Sequence, residues 1–169
     1  MKVVISMEIT VNGLIAKPNG DTSFVSERAW RGFLKLMKSA GNNVMGRRTF
    51  EISLKEKRFP YDVLNVVMTR KKIKNMWGPN VIFTSKSPKG VVEMLKRKGF
   101  KLALVGGGAL DASFLKAGLV DEIYLDVEPR AFGNGINVFN GEDFEAKLEL
   151  VGTRKLSRNE IQLHYRVLK

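Results

Sequence analysis

Two junctions, each between an apolar run and a helix-like run, carry the residue types best suited to hold an anion. The first is Val44-Met45-Gly46-Arg47-Arg48-Thr49-Phe50. A glycine lets backbone approach a bound group closely, and the free N–H groups of a following helix favour negative charge. Arg47 and Arg48 can fork onto phosphate oxygens, and Thr49 supplies a hydroxyl. A tight turn with two solvated arginines would have the same sequence. The second junction is Leu104-Val105-Gly106-Gly107-Gly108-Ala109-Leu110. Three consecutive glycines are entropically costly, which a pyrophosphate resting on the helix N-terminus would justify. The structural alternative is a close helix–strand contact. The triplet is not a Gly-x-Gly-x-x-Gly fingerprint and lies late in the chain, which argues against an ordinary Rossmann domain. A third segment, Val67-Met68-Thr69-Arg70-Lys71-Lys72, reads as a strand ending in a hydroxyl and a basic run. Cationic side chains so placed can hold an adenosine 2′-phosphate, although they also suit an ordinary solvated loop.

Chemistry beside an anion site often also needs a proton, from a positioned acid or a water it orders. Glu27 and Asp21 are the candidate carboxylates, both close to the start of the first helix. Glu27 follows Ser26, the expected N-cap, so its charge would also complement the helix dipole. His164 lies in the alternating run Gln162-Leu163-His164-Tyr165-Arg166 and reads as a strand residue rather than a catalyst. There is no cysteine and one histidine, so thiolate chemistry is excluded and a metal site would need oxygen ligands. No metal site is expected.

The elements that must position these residues can be traced along the chain. Val3 to Ile9 reads as a strand, then a turn at Asn12-Gly13 and a short return, Leu14-Ile15-Ala16. After the loop Pro18-Asn19-Gly20-Asp21, Ser26 opens a helix to about Ser39, with Trp30, Phe33, Leu34 and Met37 at helical spacing. Asn43 to Met45 is a short strand and Arg48 to Leu54 a short helix. Strands follow at Val63 to Met68 and Val81 to Phe83, then a helix that Ser87-Pro88 opens and Gly99 closes. A strand at Leu102 to Val105, a helix from Ala109 to Ala117 and a strand at Ile123 to Val127 come next. Leu148 to Leu156 and Ile161 to Leu168 alternate like an antiparallel hairpin joined at Arg158-Asn159. This alternation predicts an α/β fold: a mostly parallel central sheet between helices, with an antiparallel C-terminal hairpin.

The 169 residues fit one domain, 1–169, and a hydrophobic fraction of 44% is that of a globular chain. No apolar run is long enough to span a bilayer, and Met1-Lys2-Val3-Val4-Ile5 reads as a buried strand rather than a leader. A cytoplasmic location is expected. The net charge of +12 is uneven: Arg47 to Lys101 holds 15 Lys/Arg against 4 Asp/Glu, or 15 − 4 = +11. Such a field suits a multiply phosphorylated small molecule, an acidic surface or nucleic acid, or it merely aids solubility. The chain lacks the interleaved aromatics of a single-strand platform and any groove-reading motif, so a nucleic-acid-binding module is the remote alternative.

Taken in order, several segments resemble the dihydrofolate reductase-like superfamily, and within it the riboflavin-biosynthesis pyrimidine reductase C-terminal domain family. They are Ile9 to Ala16, Met45 to Phe50, Gly106 to Gly108, Gly118-Leu119-Val120-Asp121-Glu122-Ile123, Pro129, and Phe132-Gly133-Asn134-Gly135. The resemblance implies a three-layer fold, NADPH as hydride donor, a pyrimidine- or pterin-type heterocycle as substrate, and a homodimer. It places Ala16, Gly46 to Thr49, Thr69-Arg70 and Gly106 to Leu110 around the cofactor, and Glu27 near the heterocycle. Pyrimidine reductases of this kind usually have Asp-Gly-Lys where this chain has Asn12-Gly13-Leu14, and Glu where it has Val105. Dihydrofolate is the alternative substrate, and a fold kept for binding without catalysis stays open.

Overall fold

A computed structural model describes residues 1–169. The chain opens with β1 (Lys2–Thr10), β2 (Leu14–Ala16), α1 (Glu27–Ala40), β3 (Asn42–Gly46) and α2 (Arg47–Lys55). It continues with β4 (Leu64–Met68), β5 (Val81–Thr84), α3 (Pro88–Arg97), β6 (Leu102–Gly106) and α4 (Gly108–Lys116). The last strands are β7 (Glu122–Glu128), β8 (Ile136–Asn137), β9 (Leu148–Lys155) and β10 (Ile161–Val167). The main sheet runs β5-β4-β3-β6-β1-β7-β10-β9, parallel from β5 to β7 and antiparallel through β10 and β9.

The central strands are short apolar runs because helices cover both their faces. Val3, Ile5, Val44, Val66 and Val105 point to one side, against Val91 and Leu95 of α3 and Phe114 of α4. Val4 and Leu104 point to the other, against Met37 and Ala40 of α1. Met45 and Val67 meet Phe50 of α2 on that same side. The result is the expected three-layer arrangement, with the C-terminal hairpin extending one edge of the sheet. Local signals account for the helix ends. The Ser26 hydroxyl accepts from the Ala29 N–H at 3.1 Å, and Gly41 closes α1 at φ 68°.

The buried Asn42 ties three elements together at the start of β3. Its amide donates to the Ala40 and Leu102 carbonyls at 2.8 and 2.7 Å and accepts from the Leu104 N–H at 3.2 Å. One element escaped the sequence pattern. β8 has two residues, too few to show alternation, and pairs with β2 as a separate antiparallel ribbon. That ribbon brings residues 136–140 over the N-terminus of α4, and the Asn140 N–H donates to the Gly108 carbonyl at 3.2 Å.

Candidate active site

In an α/β sheet ligands bind at the carboxyl ends of the strands. Here a two-chambered cleft opens there, and the two chambers share Met7, Ile15, Thr22, Thr49, Ile52 and Gly107. The larger, about 370 Å³, gathers Gly46, Arg47, Arg48 and Thr49 from the β3–α2 junction. Gly107, Gly108, Ala109 and Leu110 come from the β6–α4 junction, and Ala16 from β2. Segments 60 residues apart thus converge because β3 and β6 are neighbours in the sheet, with Met45 in register with Gly106. Gly106 itself lines the smaller chamber. Thr69 and Arg70 line neither. They follow Met68, which does, and the Thr69 hydroxyl accepts from the Lys71 N–H at 3.0 Å.

The glycine triplet meets demands of the protein's own packing. Gly107 sits at φ 124°, and a Cβ there would lie 2.6 Å from the Thr49 hydroxyl. A Cβ on Gly108 would lie 2.5 Å from the Asn137 carbonyl in β8. The close-contact alternative therefore applies, and the same approach leaves the first turn of α4 against the chamber. The Gly107 N–H donates to Asp111 Oδ2 at 3.1 Å. Asp111 is fully buried, its Oδ1 has no partner, and burial pushes its carboxyl up to about 7.

The smaller chamber, about 110 Å³, lies between β1, α1 and α2. Trp30 and Phe33 of α1 form one wall, with ring centroids 5.6 Å apart, and Tyr61 stands 6.2 Å from Trp30. The Arg58 guanidinium lies 4.3 Å over the Trp30 ring and pairs with Glu56 at 3.1 Å. Glu56 also accepts from the Thr22 hydroxyl at 2.7 Å, and Ser53 and Tyr61 share a hydrogen bond at 3.1 Å.

Glu8 of β1 enters this chamber. Burial, joined by repulsion from Asp126 and Glu128 on β7, pushes its carboxyl up to about 8, against a smaller pull from Arg58. The register explains the crowding, since Glu8 lies opposite Asp126 and Thr10 opposite Glu128. Sequence reasoning missed Glu8. The available signal was a lone carboxylate inside the otherwise apolar run Val3 to Ile9, where a charge is costly unless a site uses it.

The two carboxylates expected as acids are not brought into the cleft. Glu27 points outward, with its side chain 77% exposed and paired to Arg31 one turn on. It lies in the first turn of α1, one turn before Trp30, but its side chain turns away towards Arg31 and lines neither chamber, whereas Trp30 and Phe33 line the smaller one. Asp21 accepts from the Lys17 ammonium at 2.7 Å and the Ser23 N–H at 2.8 Å. Those partners, Lys17 above all, hold it well below the usual carboxylate range, so it keeps its charge and is a poor proton donor. His164 is half-buried on β10, stacked on Tyr124 at 4.1 Å and outside the cleft. Glu27→Gln should accordingly leave turnover unchanged. It should lose no more than the few tenths of a kcal/mol typical of an exposed i,i+4 pair, measured as a small fall in thermal midpoint. A large loss of turnover would return Glu27 to the reaction.

Residues 1–161 match the family model described as the RibD C-terminal domain. The chain belongs to the RibD C-terminal domain family. Two uncharacterised proteins of Bacillus subtilis (strain 168) are similar along their length. YwjB is 27% identical, covering 97% of each chain, and YyaP is 24% identical, covering 97% of this chain and 94% of the relative. Among solved structures, a Shewanella sp. PV-4 protein provisionally assigned to riboflavin biosynthesis superposes at TM-score 0.86 and 22% identity, covering 100% of both chains. A pyrimidine reductase-like protein of Corynebacterium diphtheriae superposes at 0.80 and 14% identity, covering 99% of this chain and 92% of that one. The Thermotoga maritima diaminohydroxyphosphoribosylaminopyrimidine deaminase/5-amino-6-(5-phosphoribosylamino)uracil reductase superposes at 0.76 and 17% identity, covering 99% of this chain and 56% of that one.

Asn12 and Val105, the two positions at which this RibD C-terminal domain departs from the pyrimidine reductase pattern, both have structural roles. Asn12 accepts from the Thr10 hydroxyl at 2.8 Å and donates to the Phe132 carbonyl at 2.7 Å, clamping the β1–β2 turn. Val105 is fully buried in the core under the sheet. The cleft carboxylates of this family member are thus Glu8 and Glu56.

Proposed function

We propose that this protein is a cytoplasmic NADPH-dependent reductase that adds hydride to a pyrimidine- or pterin-type heterocycle. The observation that carries the reading is the junction of two chemically different chambers, one rich in anion-binding groups and one walled by aromatic rings around a carboxyl. The larger chamber fits a dinucleotide in its donor set. Gly107 and Gly108 bring the first turn of α4 against the chamber, and Thr49 adds a hydroxyl. Arg47 is drawn to Glu51 at 2.5 Å, which leaves Arg48 the freer cation of the pair for a phosphate.

When bound, the reduced nicotinamide supplies the hydride. The chain's own residues do the rest. Met7, Ile15 and Ile52 stand where the chambers meet and give that junction an apolar side, beside the Thr22 and Thr49 hydroxyls. Trp30 and Phe33 exclude water from one side of the ring, and Glu8 holds a proton at neutral pH to give to it. The Thermotoga maritima neighbour is named for a phosphoribosylated aminouracil, so pyrimidines of that type are the first class to assay and dihydrofolate the second.

The test is loss of reduced-nicotinamide absorbance with each heterocycle, using NADPH and NADH in parallel. NADPH should be preferred, by a margin that shrinks as salt rises and shrinks again in Arg48→Ala. Equal use of the two cofactors would remove the 2′-phosphate part of the reading, and no oxidation with any heterocycle would remove the enzyme.

A homodimer is part of the same proposal. β9 is the edge strand of the large sheet and exposes Leu148, Leu150 and Val151, a surface that a second copy could cover about a two-fold axis. Light scattering should give about twice 19.0 kDa at micromolar concentration, and Leu150→Lys should shift it to the monomer. A monomeric wild type would end this part.

A further inference from the structure

The smaller chamber sorts substrates by charge, and this inference rests on the reductase reading. We infer that it takes a planar heterocycle bearing no phosphate, held by an edge that sets a hydrogen-bond donor beside an acceptor against Glu8. Three ionisable side chains line the chamber: Glu8, Glu56 and Arg58. The one cation is already engaged twice, with Glu56 at 3.1 Å and across the Trp30 ring at 4.3 Å. Phosphate sites need uncommitted guanidinium, ammonium or helix N-terminal groups. A phosphate entering here would meet two carboxyl groups and an arginine with its charge spoken for. The groups that could hold a phosphate, Arg48 and the first turn of α4, lie in the other chamber.

Shape points the same way. The chamber, about 110 Å³ between Trp30, Phe33 and Tyr61 and continuous with its larger neighbour, suits a flat ring laid along aromatic walls. The Glu8 carboxyl lines the chamber and no other side chain hydrogen-bonds it, so it is available to a ligand. A carboxyl pairs through two parallel hydrogen bonds with an edge that both donates and accepts, as in aminopyrimidines and lactams. Asn43, 4% exposed, brings a side-chain amide to the same chamber.

The test uses 5-amino-6-(5-phosphoribosylamino)uracil and its dephosphorylated counterpart, titrated calorimetrically into the full chain with and without NADPH. The dephosphorylated compound should bind roughly ten-fold or more tighter. Glu56→Gln, which frees Arg58, should narrow that gap by strengthening the phosphorylated ligand. Glu8→Ala should weaken the dephosphorylated ligand roughly ten-fold, whereas Glu8→Gln, which keeps a donor beside an acceptor, should retain it. Equal or tighter binding of the phosphorylated compound, or binding of neither, overturns the inference. NADPH binding is measured separately. Its failure would withdraw the cofactor reading while the ligand preference is still read directly.

Discussion

Glu8→Gln is expected to cut turnover by roughly 10²-fold or more while leaving heterocycle affinity nearly unchanged, because glutamine keeps the hydrogen-bonding shape and cannot give up a proton. The split between turnover and binding is what separates a proton donor from a residue that merely shapes the chamber. The carboxyl is pushed up to about 8 by burial and by Asp126 and Glu128, so below that value it carries its proton. Wild-type turnover should therefore fall as pH rises through about 8, and the variant should lack that limb. The variant's residual rate should rise at acidic pH, where solvent supplies protons directly. Wild-type turnover by Glu8→Gln across that range would take Glu8 out of the chemistry. The aromatic chamber would then act only as a binding site.

Asp111 should make stability depend on pH in the sense opposite to an ion-paired carboxylate. Its carboxyl rises from 3.8 to about 7 on folding because it is fully buried, with only the Gly107 N–H pulling the other way. The folded state thus binds the proton more tightly than the unfolded one. The associated stability is complete below the unfolded value of 3.8 and is lost as pH climbs towards about 7. A rise of about three pKa steps corresponds to roughly 4 kcal/mol as an upper figure. Glu8 contributes in the same direction, from 4.5 to about 8, so the clean measurement is a difference between two proteins. Asp111→Asn keeps an acceptor for the Gly107 N–H and has no charge to bury. Its thermal midpoint relative to wild type should rise between pH 5 and about 7 and then level off. A difference that stays constant over that range would show that Asp111 does not titrate there. Because Asp111 holds the glycine turn, the same comparison reports how firmly the larger chamber is built.

Several residues divide what was legible from what was not. Ser26, Ser87 and Pro88 announced helix starts because capping is a contact within four residues, and the structure places α1 and α3 where they point. The runs Val3-Val4-Ile5, Val44-Met45 and Val66-Val67 read as buried strands because a sheet covered on both faces needs no alternation. The two glycine-bearing junctions were visible for the same reason, as local breaks between strand and helix. Glu27 shows the other side. Its place in the first helical turn was legible, but the direction of its side chain depends on how α1 is rotated against β1, β3 and β6.

The amino-acid sequence by itself determined the order and type of nearly all the elements, the three-layer α/β class, and the two junctions that line the larger chamber. Each of these follows from interactions between near neighbours in the chain, or from apolar patterning that leaves few ways to bury it. Tertiary structure alone decided which carboxyl enters the cleft, that Arg58 is held by Glu56 and Trp30, and that β8 closes over Gly108. Those outcomes rest on distant partners: Asp126 and Glu128 for Glu8, Trp30 for Arg58 and Asn137 for Gly108. Glu8 is half-buried because α1 and α2 flank its face and β7 lies beside it, and Gly108 is crowded because β2 pairs with β8. A charge is costly or harmless, and a glycine necessary or incidental, according to what the fold puts against it.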